Sequence, residues 1–205
     1  GHSMGGPYNR IFRDLYPNEV KGMVFIDSSH PEQWNRLAQK ELFSENQILL
    51  VKTIATLSDM GIVGAYNKLF ESEPANDGLP KDCHIRAHNL TAYSGKVFRR
   101  YIKENDINDK VLLRAGQTKN LDSLPVLVFT ATEQYKESQK EKYRNQGIDP
   151  DEQIEIWFKM QKELKELSTN GKQIVIESNH GSIITEKENA ELINKEILLM
   201  TETIK

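Results

Sequence analysis

The sequence predicts an α/β protein in which parallel sheet strands alternate with helices and a long helical insertion interrupts them. Two observations predict it. First, Gly22–Ile26, Pro125–Thr130 and Gln173–Glu177 each hold an apolar run with no polar residue alternating inside it. A strand covered on both faces demands such a run, and parallel sheets are covered that way. Second, apolar residues between and after these runs return every three or four positions, the helical period. Strands separated by helices pair in parallel through crossovers rather than as hairpins.

The elements follow in order. Gly1 to Gly6 form a glycine-rich turn. Ile11, Phe12 and Leu15 predict a helix over Tyr8–Tyr16, which Pro17-Asn18 ends. The first strand stops at Asp27, and Ser28 to Pro31 make a turn. Residues 32–120 read as mostly helical, because Leu42, Phe43, Ile48, Leu49, Val51 and Ile54, then Leu57 to Phe70, fit amphipathic helices better than strands. A break is expected over residues 73–80, and helix resumes from Cys83 to Lys103 and near Lys110 to Gly116. Beyond the second strand a very polar stretch runs from Glu133 to Asp149. Pro150-Asp151-Glu152 opens the next helix, and Asn170-Gly171 stops it. The last helix covers Lys187–Thr203. Residues 1–30 and 121–205 are expected to form the core and residues 31–120 a cap; no internal repeat is visible.

Composition narrows the function classes. With 38% apolar and 28% charged residues, the chain can pack a core and solvate its surface. A net charge of −3 shows no basic excess to attract nucleic acid or an anionic membrane. Cys83 is the single cysteine, so no internal disulfide can form. The apolar stretches Ile48–Val51 and Ile197–Met200 fall far short of the roughly 20 residues of a membrane span. No signal peptide is visible, which leaves the compartment open.

The chemistry concentrates in Gly1-His2-Ser3-Met4-Gly5, which matches the nucleophile-elbow pattern G-x-S-x-G. There a serine sits on a sharp, strained strand-to-helix turn, and residues two positions away must be small. Gly1 and Gly5 supply them. The following helix points unpaired N–H groups at the site, so the Met4 N–H is the expected oxyanion donor. A three-position pattern also describes a glycine-rich helix start without chemistry. Context favours the nucleophile reading, because His180 follows the third strand in the order expected of a Ser-acid-His triad. Asp27, at the end of the first strand, is the favoured acid, and Glu133, beyond the second, is the alternative. His2 is expected to pack beside the site and His30 to lie in a turn. His84 and His88, one helical turn apart, could share a metal, but no further ligand accompanies them, so no metal is expected. Cys83 reads as a small residue of the cap rather than as a nucleophile.

With these residues in place, the chain resembles the α/β-hydrolase superfamily, and most of all a branch of bacterial serine hydrolases. The resemblance rests on GHSMGGPYNRIFRDLYPNEVKGMVFIDSSHPEQ, LPVLVFTATE and WFKMQKELKELSTNGKQIVIESNHG. It implies a fold of that superfamily with a helical cap. It implies Ser3 as nucleophile, His180 as base and a carboxylate, Asp27 or Glu133, orienting the base. The implied reaction is hydrolysis of a small, partly apolar ester through an acyl-enzyme, with no metal or organic cofactor. Members often carry Gly where this chain has Asn179. They also carry several strands and a second oxyanion donor before the elbow. The chain is therefore expected to be the C-terminal portion of a hydrolase, inactive by itself. A non-catalytic scaffold on the same fold is the competing expectation.

Overall fold

A computed structural model describes residues 1–39, 44–70 and 79–204. The expectations for Leu42, Phe43 and most of the break at residues 73–80 lie outside the described residues, as does the side chain of His84. The elements run α1 (Gly5–Leu15), β1 (Met23–Ile26), α2 (Gln33–Arg36), α3 (Glu45–Asp59), α4 (Ile62–Leu69), α5 (Lys81–Ala92), α6 (Lys96–Asn105), α7 (Asn108–Ala115), β2 (Val126–Glu133), α8 (Glu137–Asn145), α9 (Pro150–Glu166), β3 (Gly171–Asn179), α10 (Ser182–Thr185) and α11 (Lys187–Thr203). They fall into two compact units, one of Gly1–Lys40 with Asp109–Lys205 and one of Glu41–Asn108. The helical unit thus lies inside the expected cap of residues 31–120. The turn after β1 and nearly all of α7 go with the sheet.

In the first unit the strands lie in the order β1-β2-β3. Both pairings are parallel, with Met23 opposite Val126 and Phe129 opposite Ile174. The reason for the unbroken apolar runs is visible on the two faces of the sheet. Met23, Phe25, Val126 and Val128 pack with Leu164 of α9 on one face. Leu127, Phe129, Ala131 and Ile176 pack with Ile183 and Ile193 on the other. Successive residues of β2 point to opposite faces, and both faces are covered, so Val126 to Ala131 are all buried and Val126 to Phe129 are all apolar. Residues Gly1 to Ser3 extend the sheet beside β1. Ile26 N–H donates to the Gly1 carbonyl at 3.0 Å, Ser3 N–H donates to the Ile26 carbonyl at 3.3 Å, and His2 bridges Ile26 in parallel.

The helical unit is built from α3 to α6. Ser44 caps α3, with the Gln47 N–H donating to the Ser44 side chain and the Ser44 N–H donating to the Gln47 side chain. Gly61, at φ 75°, turns the chain between α3 and α4. The expected helix from Cys83 to Lys103 is instead two helices, α5 and α6, and Gly95 explains the break. A Cβ there would stand 2.2 Å from the Ala55 carbonyl oxygen of α3, so only glycine lets the backbones approach. The Gly95 N–H donates to Asp59 at 2.7 Å, and Arg99 pairs with the same carboxylate. No single helix among the described residues is long and apolar enough to cross a membrane.

One further difference from expectation lies in the polar stretch after β2, which contains α8. Its pattern is weak because Tyr143 is its buried anchor, set edge-on against Tyr135 with centroids 5.1 Å apart. Glu137 and Arg144 pair across its solvent side.

Candidate active site

Ser3 and Asp27 end adjacent strand segments, and both have left-handed backbones, at φ 52° and 40°. They are two of three non-glycine residues with positive φ among the described residues. Each such conformation costs about 1–3 kcal/mol, so the surrounding bonds must hold it. Around Ser3 they do. Its N–H donates to Ile26, while its carbonyl accepts from Gly6 N–H at 3.1 Å and Ser29 N–H at 3.0 Å. Met4 then caps α1, and its N–H has no partner among the described residues. An unpaired N–H at a helix start is a ready donor for an anionic oxygen. The Ser3 hydroxyl likewise makes no hydrogen bond among the described residues.

Packing around the elbow differs from the expectation in one respect. Gly1 does need to be glycine, since a Cβ would lie 2.4 Å from the Gly5 carbonyl group. Gly5 does not, because a Cβ there meets nothing within 4 Å. The second close approach belongs to Gly6, where a Cβ would fall 1.6 Å from Ser28 Oγ. The helix turns its next residue, rather than Gly5, toward the Ser28-Ser29 turn.

His180 sits just beyond β3, and its Nδ1 lies 2.7 Å from Asp27 Oδ2. The Asp27 side chain is 0% exposed and that of His180 is 47% exposed. A carboxylate that deeply buried must have its oxygens satisfied. Three donors converge on Oδ1: Ala131 N–H at 3.2 Å, Gln134 Nε2 at 3.2 Å and the Trp157 indole N–H at 3.1 Å. That leaves Oδ2 to the histidine. With Nδ1 donating to Asp27, the second ring nitrogen carries the lone pair. Glu133, the alternative acid, stands at the exposed end of β2, opposite Asn179 in register. Its neighbours Ala131 and Gln134 are the ones that reach Asp27.

The other histidines separate clearly. His2 stacks on His180, with ring centroids 4.4 Å apart and planes tilted by 32°. Burial, and then the nearby His180, lower the His2 pKa. His30 is buried, and burial pushes its pKa down to about 4. His88 bonds to the Asn67 side chain at 2.9 Å. Among the described residues no three His, Cys, Asp or Glu side chains gather as a metal site. Cys83 is exposed, in the helical unit.

No protein-family model matches the chain. Among curated proteins, a Schizosaccharomyces pombe protein described as uncharacterized is 24% identical over 198 residues. The match covers 94% of this chain and 33% of that protein, so the chain spans about one third of the relative's length.

Trp157 and Gln134 were not legible as site residues. Trp157 reads as a core aromatic at helical spacing, and it does pack beside Leu37 and Met160. What the spacing hides is its indole N–H, which a buried tryptophan must hand to some acceptor. A sequence signal for that acceptor existed only in Asp27 itself, 130 positions away.

Proposed function

We propose that the chain carries the reacting groups of a serine hydrolase of the α/β-hydrolase type, acting on an ester-type carbonyl. The observation that carries the reading is the buried Asp27 bonded to an exposed His180, beside a serine held at positive φ at a helix start.

His180 takes the Ser3 hydroxyl proton on its outer ring nitrogen as the oxygen attacks the carbonyl. The carbonyl oxygen becomes an oxyanion facing the Met4 N–H. Collapse of that intermediate expels the alkoxide, which receives the proton from His180, and the acyl group stays on Ser3. Water then gives its proton to His180 and attacks the acyl carbon, and collapse of this second intermediate breaks the bond to the Ser3 oxygen, which takes the proton back from His180 as the acid leaves. Asp27 keeps the imidazole in one tautomer and stabilises its charged form at each stage. The serine hydroxyl need not already touch His180, since catalytic hydrogen bonds often tighten only with substrate bound.

Fluorophosphonate labelling of the full-length protein tests this reading. Labelling is expected in the wild type and in Cys83→Ala, and not in Ser3→Ala. A wild-type protein that resists the probe supports the non-catalytic scaffold instead.

A further inference from the structure

We propose that His2 is a positioning residue that ties the nucleophile turn to the loop carrying His180, an inference that rests on the triad reading above. Its Nε2 lies 2.8 Å from the His180 carbonyl oxygen. A carbonyl can only accept, so His2 donates there and holds its proton on Nε2. The ring also lies over that of His180. Two contacts thus join residues separated by 178 positions.

The rest of the geometry shows what this link adds. His2 is itself fixed, by its bridge to Ile26 and by Gly5 N–H donating to its carbonyl at 2.8 Å. On the far side, Asn179 Oδ1 accepts from Gly181 N–H and Ser182 N–H, each at 2.9 Å. The Asn179 N–H in turn donates to Ser182 Oγ at 2.9 Å. Those bonds shape the loop internally but do not set its distance from Ser3. Asp27 pins one ring nitrogen and leaves the main chain of His180 to shift. Among the described residues, His2 is the side chain that joins the elbow to the main chain of His180.

The charge state suits this role. The groups facing the His2 ring are His180, Asp27 and the amino group of Gly1. Burial and then His180 oppose a charge on His2, while its bond to the carbonyl and Asp27 favour one, and the pKa is lowered on balance. A neutral His2 does not repel the imidazolium that His180 becomes when it takes the Ser3 proton.

Steady-state turnover of p-nitrophenyl butyrate by variants of the full-length protein tests the proposal, with fluorophosphonate labelling alongside. His2→Phe keeps a ring over His180 and loses the donor, so kcat is expected to fall about tenfold with KM unchanged. His2→Gln places an amide nitrogen where Nε2 stood, and should recover kcat to within about threefold of wild type. Unchanged kcat in His2→Phe, a loss confined to KM, or a His2→Gln as impaired as His2→Phe overturns the positioning role. Should His2→Phe fail to fold, His2→Asn replaces it, since its shorter amide cannot reach the carbonyl. A wild-type protein that is neither labelled nor active overturns the triad reading itself. Labelling of Ser3 with an unaffected His2→Phe overturns only the role of His2.

Discussion

Among its described residues, the sheet unit contains two histidine–carboxylate pairs that are built in opposite senses. In one, His180 is 47% exposed and Asp27 is 0% exposed. In the other, the His30 side chain is 9% exposed and Glu163 is 35% exposed, with 3.4 Å between Nε2 and Oε2. His30 uses both nitrogens internally, because Nδ1 accepts the Glu32 N–H at 3.2 Å. His180 uses one, and leaves the other without a partner among the described residues. Glu163 is already bonded to Arg36 at 2.7 Å, whereas Asp27 faces no Lys or Arg ion pair among the described residues. The contrast shows that the pairing of histidine with carboxylate does not itself make a proton relay. What matters is which partner is buried. An exposed histidine on a buried acid can exchange protons with a substrate, whereas a buried histidine beside a compensated acid is held neutral.

Asp27→Asn should break the first pair with the largest effect. An amide at the Oδ2 position donates toward Nδ1, so the imidazole takes the opposite tautomer and loses its acceptor for the Ser3 proton. The expected loss is about four orders of magnitude in kcat, with little change in KM. Glu133→Gln serves as the comparison in the same esterase assay and should stay within about twofold of wild type, as fits an exposed carboxylate. Equal losses in the two variants, or a loss in Glu133→Gln alone, would sink the assignment of Asp27.

The second pair should govern acid stability rather than turnover. The His30 pKa is about 4 in the folded chain against a reference value of 6.5, so the folded state refuses a proton that the unfolded chain accepts. Its contribution is fully present above the unfolded value. As pH falls from about 6.5 through about 4, the unfolded state gains protons and the native state loses on the order of 3 kcal/mol. Urea unfolding of wild type and His30→Gln between pH 7 and pH 4 should show the wild-type midpoint falling more steeply. Parallel slopes would mean that His30 takes up its proton equally well in the folded and the unfolded chain.

Much of this contrast could be read from the sequence, and its limits have physical causes. The three strands were legible because a sheet covered on both faces forces every residue of β2 from Val126 to Ala131 to be buried. The closeness of Ser3, Asp27 and His180 was legible because each lies at or just past the end of a strand on one edge of a parallel sheet. Gly6 was not, because its need for hydrogen in place of a side chain comes from Ser28, on the next strand turn. The choice between Asp27 and Glu133 depended on which strand end turns inward. The β2–β3 register shifts between Ala131 and Glu133, and no local pattern announces such an irregularity. His30 carried no sign of burial, since its surroundings arrive from α9, more than a hundred residues later.

Helix α9 serves both pairs, which allows the finest test of their independence. Trp157 donates to Asp27, Gln161 donates to the Ser28 carbonyl at 2.7 Å, and Glu163 faces His30. Trp157→Phe keeps an aromatic ring against Leu37 and Met160 and deletes the indole donor together with part of the buried ring system. Asp27 Oδ1 then retains Ala131 N–H and Gln134, so the carboxylate stays satisfied but is free to rotate. Stability should fall by about 1 kcal/mol for the lost hydrogen bond, with a further loss for the void left by the smaller ring. A kcat loss of about fivefold is expected as the imidazole follows its acid, far below the effect of Asp27→Asn. The acid-stability slope set by His30 should not change, because Glu163 and Arg36 are untouched. If Trp157→Phe alters that slope as well, α9 shifts as a body and the two pairs are mechanically coupled. If kcat does not move, the two remaining donors suffice to orient Asp27, and the tryptophan serves packing alone.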